Sequence, residues 1–159
     1  MFFNIMWAGL VLSGNKFIIY ALLSLIAHIS FCQKKVAEIK LIVIVVSIGA
    51  CIDLALLRLD IFIFQSSSQL PAWLIVLWAC FAATLAHSLQ FLANSRLAQW
   101  FMGTFIAPIS YIAGKSLGAV DFTLTNIHTY LILSVIWGPL FLLLFFIQKH
   151  LFTKDGLHV

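Results

Sequence analysis

Polar positions punctuate this chain rather than alternate with apolar ones. From Leu41 to Leu57 the sequence is apolar, with Asp53 its single ionisable interruption. A second run covers Pro71 to Ala93, a third Leu97 to about Val120, and a fourth Ile127 to Gln148. About 20 helical residues cross a ~30 Å hydrocarbon core, and a backbone in lipid must close its own hydrogen bonds. Each run is therefore predicted to be a transmembrane helix. Residues 1–32 are apolar except for Ser13-Gly14-Asn15-Lys16. As one helix they would measure ~48 Å, too long for an untilted crossing. A turn at Gly14-Asn15 is expected instead, between a short helix over 2–14 and a second over 16–32. The first reaches only ~20 Å and is expected to cross in part, packed on its neighbours. A signal peptide fits poorly, because no basic segment precedes the first apolar run. The fold class expected is all-α integral membrane: a compact bundle of six transmembrane helices, five if residues 1–32 cross once. The spans are placed at 2–14, 16–32, 41–57, 71–93, 97–120 and 127–148, in a single domain over 1–150 with a short tail at 151–159.

Composition closes the other options. Of 159 residues, 64% are hydrophobic and 9% charged, with a mean hydropathy of +1.13. Soluble domains are roughly 45–50% apolar and about 25% charged, so this chain could not cover a water-facing surface. Disorder is excluded by the same values. The net charge of +4 is read as a topology signal rather than as affinity for nucleic acid. Lys34, Lys35, Lys40, Arg96, Lys149 and Lys154 fall at alternate span ends, and only Lys16, Arg58 and Lys115 at the opposite ends. The positive-inside rule then makes both termini cytoplasmic. The connection from Arg58 to Leu70 alternates over Leu59–Phe64 and is expected to lie at the interface. Trp73, Trp78 and Trp100 are read as belt residues, with Trp78 deeper than a belt requires. Cys32, Cys51 and Cys80 lack metal-ligand spacing and are read as small buried side chains.

An ionisable side chain inside a bilayer costs about 2.5–3.5 kcal/mol on insertion scales, so each one asks for a role. Asp53 lies ~18 Å from Leu41 along its helix; Tyr111 and Lys115 lie ~21 Å and ~27 Å from Leu97 and share a face. An Asp53–Lys115 pair with the Tyr111 hydroxyl fits those depths, either as a binding site or as a tie between helices. A second polar group, Thr84, His87, Ser88 and Phe91, is expected on one face of its helix. It is read as interhelical hydrogen bonding or as contact with a polar headgroup, and not as a hydrolase, since no GxSxG pattern accompanies Ser88. His28 falls in the same half of the bilayer as His87. No carboxylate is placed at their depth, so no metal and no cofactor is expected. Gly103, Ala107, Ala113, Gly114 and Gly118 form a small-residue stripe suited to close helix packing. Pro108 is expected to kink its helix toward a polar cavity.

Two segments resemble a family of small bacterial inner-membrane proteins of unknown function. They are Thr84-Leu85-Ala86-His87-Ser88-Leu89, preceded by Leu77-Trp78, and Pro108-Ile109-Ser110-Tyr111-Ile112-Ala113-Gly114. Asn4, Trp7 and Asp53 add to the likeness, whereas Ala86 and Ala107 stand where the family pattern commonly has Asn and Gly. The resemblance implies a multi-pass helical bundle in the bacterial inner membrane, a setting in membrane-lipid metabolism, and no established activity. Three functions stay open. The chain is read first as a non-catalytic membrane subunit or scaffold, whose partners are the lipid bilayer and a membrane protein or a second copy. The second reading is a small substrate-binding or transport subunit with an outward-facing polar pocket. The third is a membrane-embedded lipid-modifying enzyme.

Overall fold

A helix satisfies its backbone hydrogen bonds without neighbours, and the apolar runs of the chain take that form. The computed structural model describes residues 2–64 and 69–154. In chain order the elements are α1 (Phe2–Ser13), α2 (Ile18–Phe31), α3 (Lys35–Arg58), β1 (Phe62–Ile63), α4 (Ala72–Leu85), α5 (Arg96–Phe101), α6 (Ala107–Ser116), β2 (Asp121–Phe122) and α7 (Asn126–Lys154). Among the described residues, Phe3–Phe31, Lys35–Arg58 and Asn126–Thr153 are long and apolar enough to cross a membrane. Large apolar side chains such as Leu12, Ile26, Val43, Val135 and Phe146 point outward, which suits contact with lipid. The helical bundle thus has the character of a membrane protein. Residues 65–68 of the expected interfacial segment and 155–159 of the expected tail lie outside the described residues.

The turn expected at Gly14-Asn15 is present. Gly14 takes φ +55°, a conformation open to a residue without Cβ, and a tight turn follows over Gly14–Phe17. The Ser24 hydroxyl then lies 3.3 Å from the Met6 sulfur, so α1 folds back along α2. Asn15 Oδ1 accepts the Trp73 backbone N–H at 3.3 Å and ties this turn to the start of α4.

Two expected spans differ from what forms. The helix placed at 71–93 ends at Leu85. There the Thr84 carbonyl accepts from both His87 N and Leu89 N, closing the ladder into a turn. The Thr84 hydroxyl also donates back to the Phe81 carbonyl at 2.6 Å, the local competition that weakens a helix end. Gln99 Nε2, buried, then caps Leu92 O at 2.9 Å. The span placed at 97–120 is composite: α5 runs through a π turn at Met102–Ile106 into α6, which stops at Ser116. Pro108 supplies no N–H, and the widened turn before it takes up the mismatch. The neighbouring Phe105 carbonyl accepts the Tyr130 hydroxyl at 3.0 Å. Beyond α6, Gly118 at φ +77° turns the chain into β2. The alternating segment before residue 65 forms β1 and pairs antiparallel with β2, Phe62 opposite Phe122.

Small residues set the closest approaches. A Cβ on Gly49 of α3 would fall inside the Trp78 indole of α4. One on Gly103 would strike the Trp137 carbonyl of α7, and one on Gly138 the Thr104 hydroxyl. Gly114 is different, because its nearest obstacle is Val120 Cγ1 at 3.8 Å. Gly49→Ala should therefore cost about 1–3 kcal/mol through overpacking. Gly114→Ala should be neutral or gain up to about 1 kcal/mol from reduced backbone entropy. Thermal unfolding of the detergent-solubilised variants side by side checks the contrast; equal midpoints would refute it.

Candidate functional site

Asp53 is fully buried on α3, beyond the reach of any cation among the described residues. It is satisfied by two neutral donors instead. Trp78 Nε1 of α4 donates to Oδ2 at 2.6 Å, and the Tyr111 hydroxyl of α6 donates to Oδ1 at 3.1 Å. The Trp78 ring stacks on Trp137 of α7 with centroids 5.2 Å apart and planes within 4°. Tyr111 stacks on Phe62 of β1 at 5.4 Å, and Phe62 in turn on Phe122 of β2 at 5.6 Å. One carboxyl group thereby links four helices and the strand pair.

The pairing of Asp53 with Tyr111 matches the sequence reading, and the pairing with Lys115 does not. Lys115 lies at the end of α6, where its Nζ meets Asp121 at 2.9 Å and sits 5.0 Å over the Phe122 ring. The hydrogen bond from Lys115, with the Phe122 N–H, holds the Asp121 carboxyl below its ordinary range. Trp78 was the missing partner. Read as a belt residue, it is 3% exposed and belongs to the core.

Beside this centre lies a cavity of about 390 Å³. It extends from Phe62 and Val120 near the strand pair, past Trp78, Tyr111 and Trp137, to Thr84 and Ser88. Ser110 on α6 and Asn4 on α1 add polar groups to walls that are otherwise aromatic and aliphatic. Asp53 itself does not line the space. It acts from behind, by fixing the Trp78 and Tyr111 side chains that do.

His87 goes elsewhere. Because α4 ends at Leu85, residues 87 and 88 occupy a turn, and the common helix face expected for Thr84, His87, Ser88 and Phe91 does not form. Ser88 faces the cavity, while His87 Nε2 meets Glu38 Oε2 at 3.3 Å. Glu38, in the first turn of α3, is completely buried, and its Oε1 lies 3.0 Å from His28 Nε2. Cys32 Sγ stands 3.5 Å from His28 Nε2 and 3.7 Å from His87 Nε2. The sequence reading placed no carboxylate at the depth of the two histidines; α3 begins early enough to supply one. The signal was Glu38 itself, an acid three residues before an apolar run.

Asp53→Asn should keep most of the fold, since its carbonyl oxygen still accepts from Trp78 and its amide can donate to the Tyr111 oxygen. Asp53→Ala leaves the Trp78 N–H without a partner, a loss of about 1–3 kcal/mol. The thermal midpoint should fall in the order wild type, Asn, Ala, with a change in tryptophan emission in the Ala variant alone.

Comparison with known proteins places these residues in a wider group. No curated protein and no solved structure matches the chain. A family described as a protein of unknown function (DUF2878) matches residues 1–143, which include Asp53, Trp78, Tyr111 and the cluster of His28, Cys32, Glu38 and His87. The chain belongs to that family of uncharacterised proteins.

Proposed function

We propose that this chain is a polytopic membrane protein that binds a lipophilic molecule, such as a lipid acyl chain, in the cavity beside Asp53. The cavity carries the reading. Its volume of about 390 Å³ falls within the range of roughly 300–1,000 Å³ typical of ligand sites. Among the described residues, no Asp, Glu, Lys, Arg or His lines it. A hydrophilic solute would find few partners there. A long apolar body with one polar group suits it, the polar group meeting Thr84 and Ser88 and the chain lying along Trp78, Tyr111 and Trp137. Tyr111, Thr84 and Ser88 then contact the ligand, and Asp53 positions Trp78 and Tyr111.

The reading includes six crossings, with both termini on the cytoplasmic side of a bacterial inner membrane, supported by the six-to-three bias of Lys and Arg. It is preferred to a scaffold because Gly49, Gly103 and Gly138, which would suit a docking face, are spent on contacts within the chain. For lipid-modifying chemistry the support is lacking, as His87 is directed to Glu38 rather than to Ser88.

Ala107 lines the cavity, and Ala107→Phe fills it with no change of charge. Lipid mass spectrometry of the purified wild type should show a species enriched over the bulk membrane extract. Ala107→Phe should retain at least about tenfold less of it, equivalent to ~1.4 kcal/mol, at an unchanged thermal midpoint. Bulk composition in both proteins would overturn the proposal.

A further inference from the structure

We infer that His28, Cys32, Glu38 and His87 form a binding site for a divalent transition metal, best matched by zinc, where α2 ends and α3 begins. The inference stands apart from the lipophile cavity, which Ser88 lines, whereas His87 meets Glu38. One potential ligand atom from each residue lies within 4.8 Å of the other three. A tetrahedral zinc ion, with bonds of about 2.0–2.3 Å, sets its ligand atoms roughly 3.3–3.8 Å apart. The contacts within the cluster are of that size: His28 Nε2 lies 3.0 Å from Glu38 Oε1, His87 Nε2 3.3 Å from Oε2, and Cys32 Sγ 3.5 and 3.7 Å from the two imidazole nitrogens.

Hydrogen bonding alone leaves the cluster poorly satisfied. Each histidine Nε2 faces both a Glu38 oxygen and the Cys32 sulfur, and one nitrogen cannot serve two such partners well. Glu38 is buried with no Lys or Arg bridged to it among the described residues; Lys34 Nζ is engaged by the Phe152 carbonyl at 2.7 Å. A buried carboxylate needs a compensating charge. A cation at the centre meets all four groups at once.

The local structure favours the same set. His28 and Cys32 are four residues apart, so the end of α2 presents both on one face. Glu38 sits at the N-terminus of α3, where the helix dipole favours an acid. His87 arrives on the turn that the early end of α4 creates. Two imidazoles, a thiolate and a carboxylate form a borderline donor set, which suits zinc and disfavours magnesium or calcium. With all four positions supplied by the protein, the site is structural, pinning that turn to the α2–α3 connection.

Elemental analysis of tag-free protein, purified without chelator, should find about one zinc per chain. The content should fall at least about tenfold in Cys32→Ser and in His87→Ala. Both positions are partly exposed, His87 with 44% of its side chain accessible, so these variants should still fold. Cobalt(II) added to chelator-treated wild type should produce a thiolate-to-cobalt charge-transfer band that Cys32→Ser lacks. Added zinc should raise the thermal midpoint of the chelated wild type and leave Cys32→Ser unmoved. No such band, or zinc content equal in wild type and both variants, would overturn the inference.

Discussion

A carboxyl group inside an apolar bundle must be met by donors that the fold brings to it, and Asp53 is met by Trp78 and Tyr111. Much of the interior follows from that requirement. Trp78 reaches Asp53 because α3 carries Gly49 at the crossing, where any side chain would collide with the indole. The indole offers its face to Trp137, which draws α7 into the same layer. Tyr111 offers its ring to Phe62 and so anchors the strand pair over one end of the bundle. Removing the acid would orphan the buried Trp78 N–H and free the Tyr111 hydroxyl, and the aromatic stack would lose the contact that sets its register.

The two ends of the bundle solve different problems. At one, Lys115 and Asp121 pair in the open beside the short strands, a contact of the exposed kind that adds little to stability. At the other, Glu38 is buried between His28 and His87, where desolvation makes the choice of partner decisive. Between them lies a cavity whose walls are set by the Asp53 centre. The bundle's charged pairs thus sit toward its two ends, and the Asp53 centre between them is met by neutral donors alone.

Asp53 and Tyr111 were legible as sites because an ionisable or hydroxyl group in an apolar run needs a partner. Lys115 was misplaced for a geometric reason. Depth counted along a straight helix ignores the π turn before Pro108 and the stop at Ser116, and Asp121 six residues later is the nearer acid. His87 and Ser88 were put on a common helix face because nothing in their residue types announces that Thr84 ends the ladder. Glu38 falls in the connection between two predicted spans, among Lys34, Lys35 and Lys40. Its burial depends on α3 starting at Lys35 and on the turn after α4 arriving above it.

Membership among membrane proteins, the helical class, the Gly14 turn and the need of Asp53 for partners were determined by the sequence itself. They follow from transfer energetics and from backbone hydrogen bonding, which act residue by residue along the chain. Only the tertiary structure decided which donors reach Asp53, where the cavity opens, and that two histidines, a cysteine and a glutamate converge. Those outcomes depend on where helices end and how closely they cross. Both are settled by contacts between segments far apart in sequence, and no local pattern encodes them.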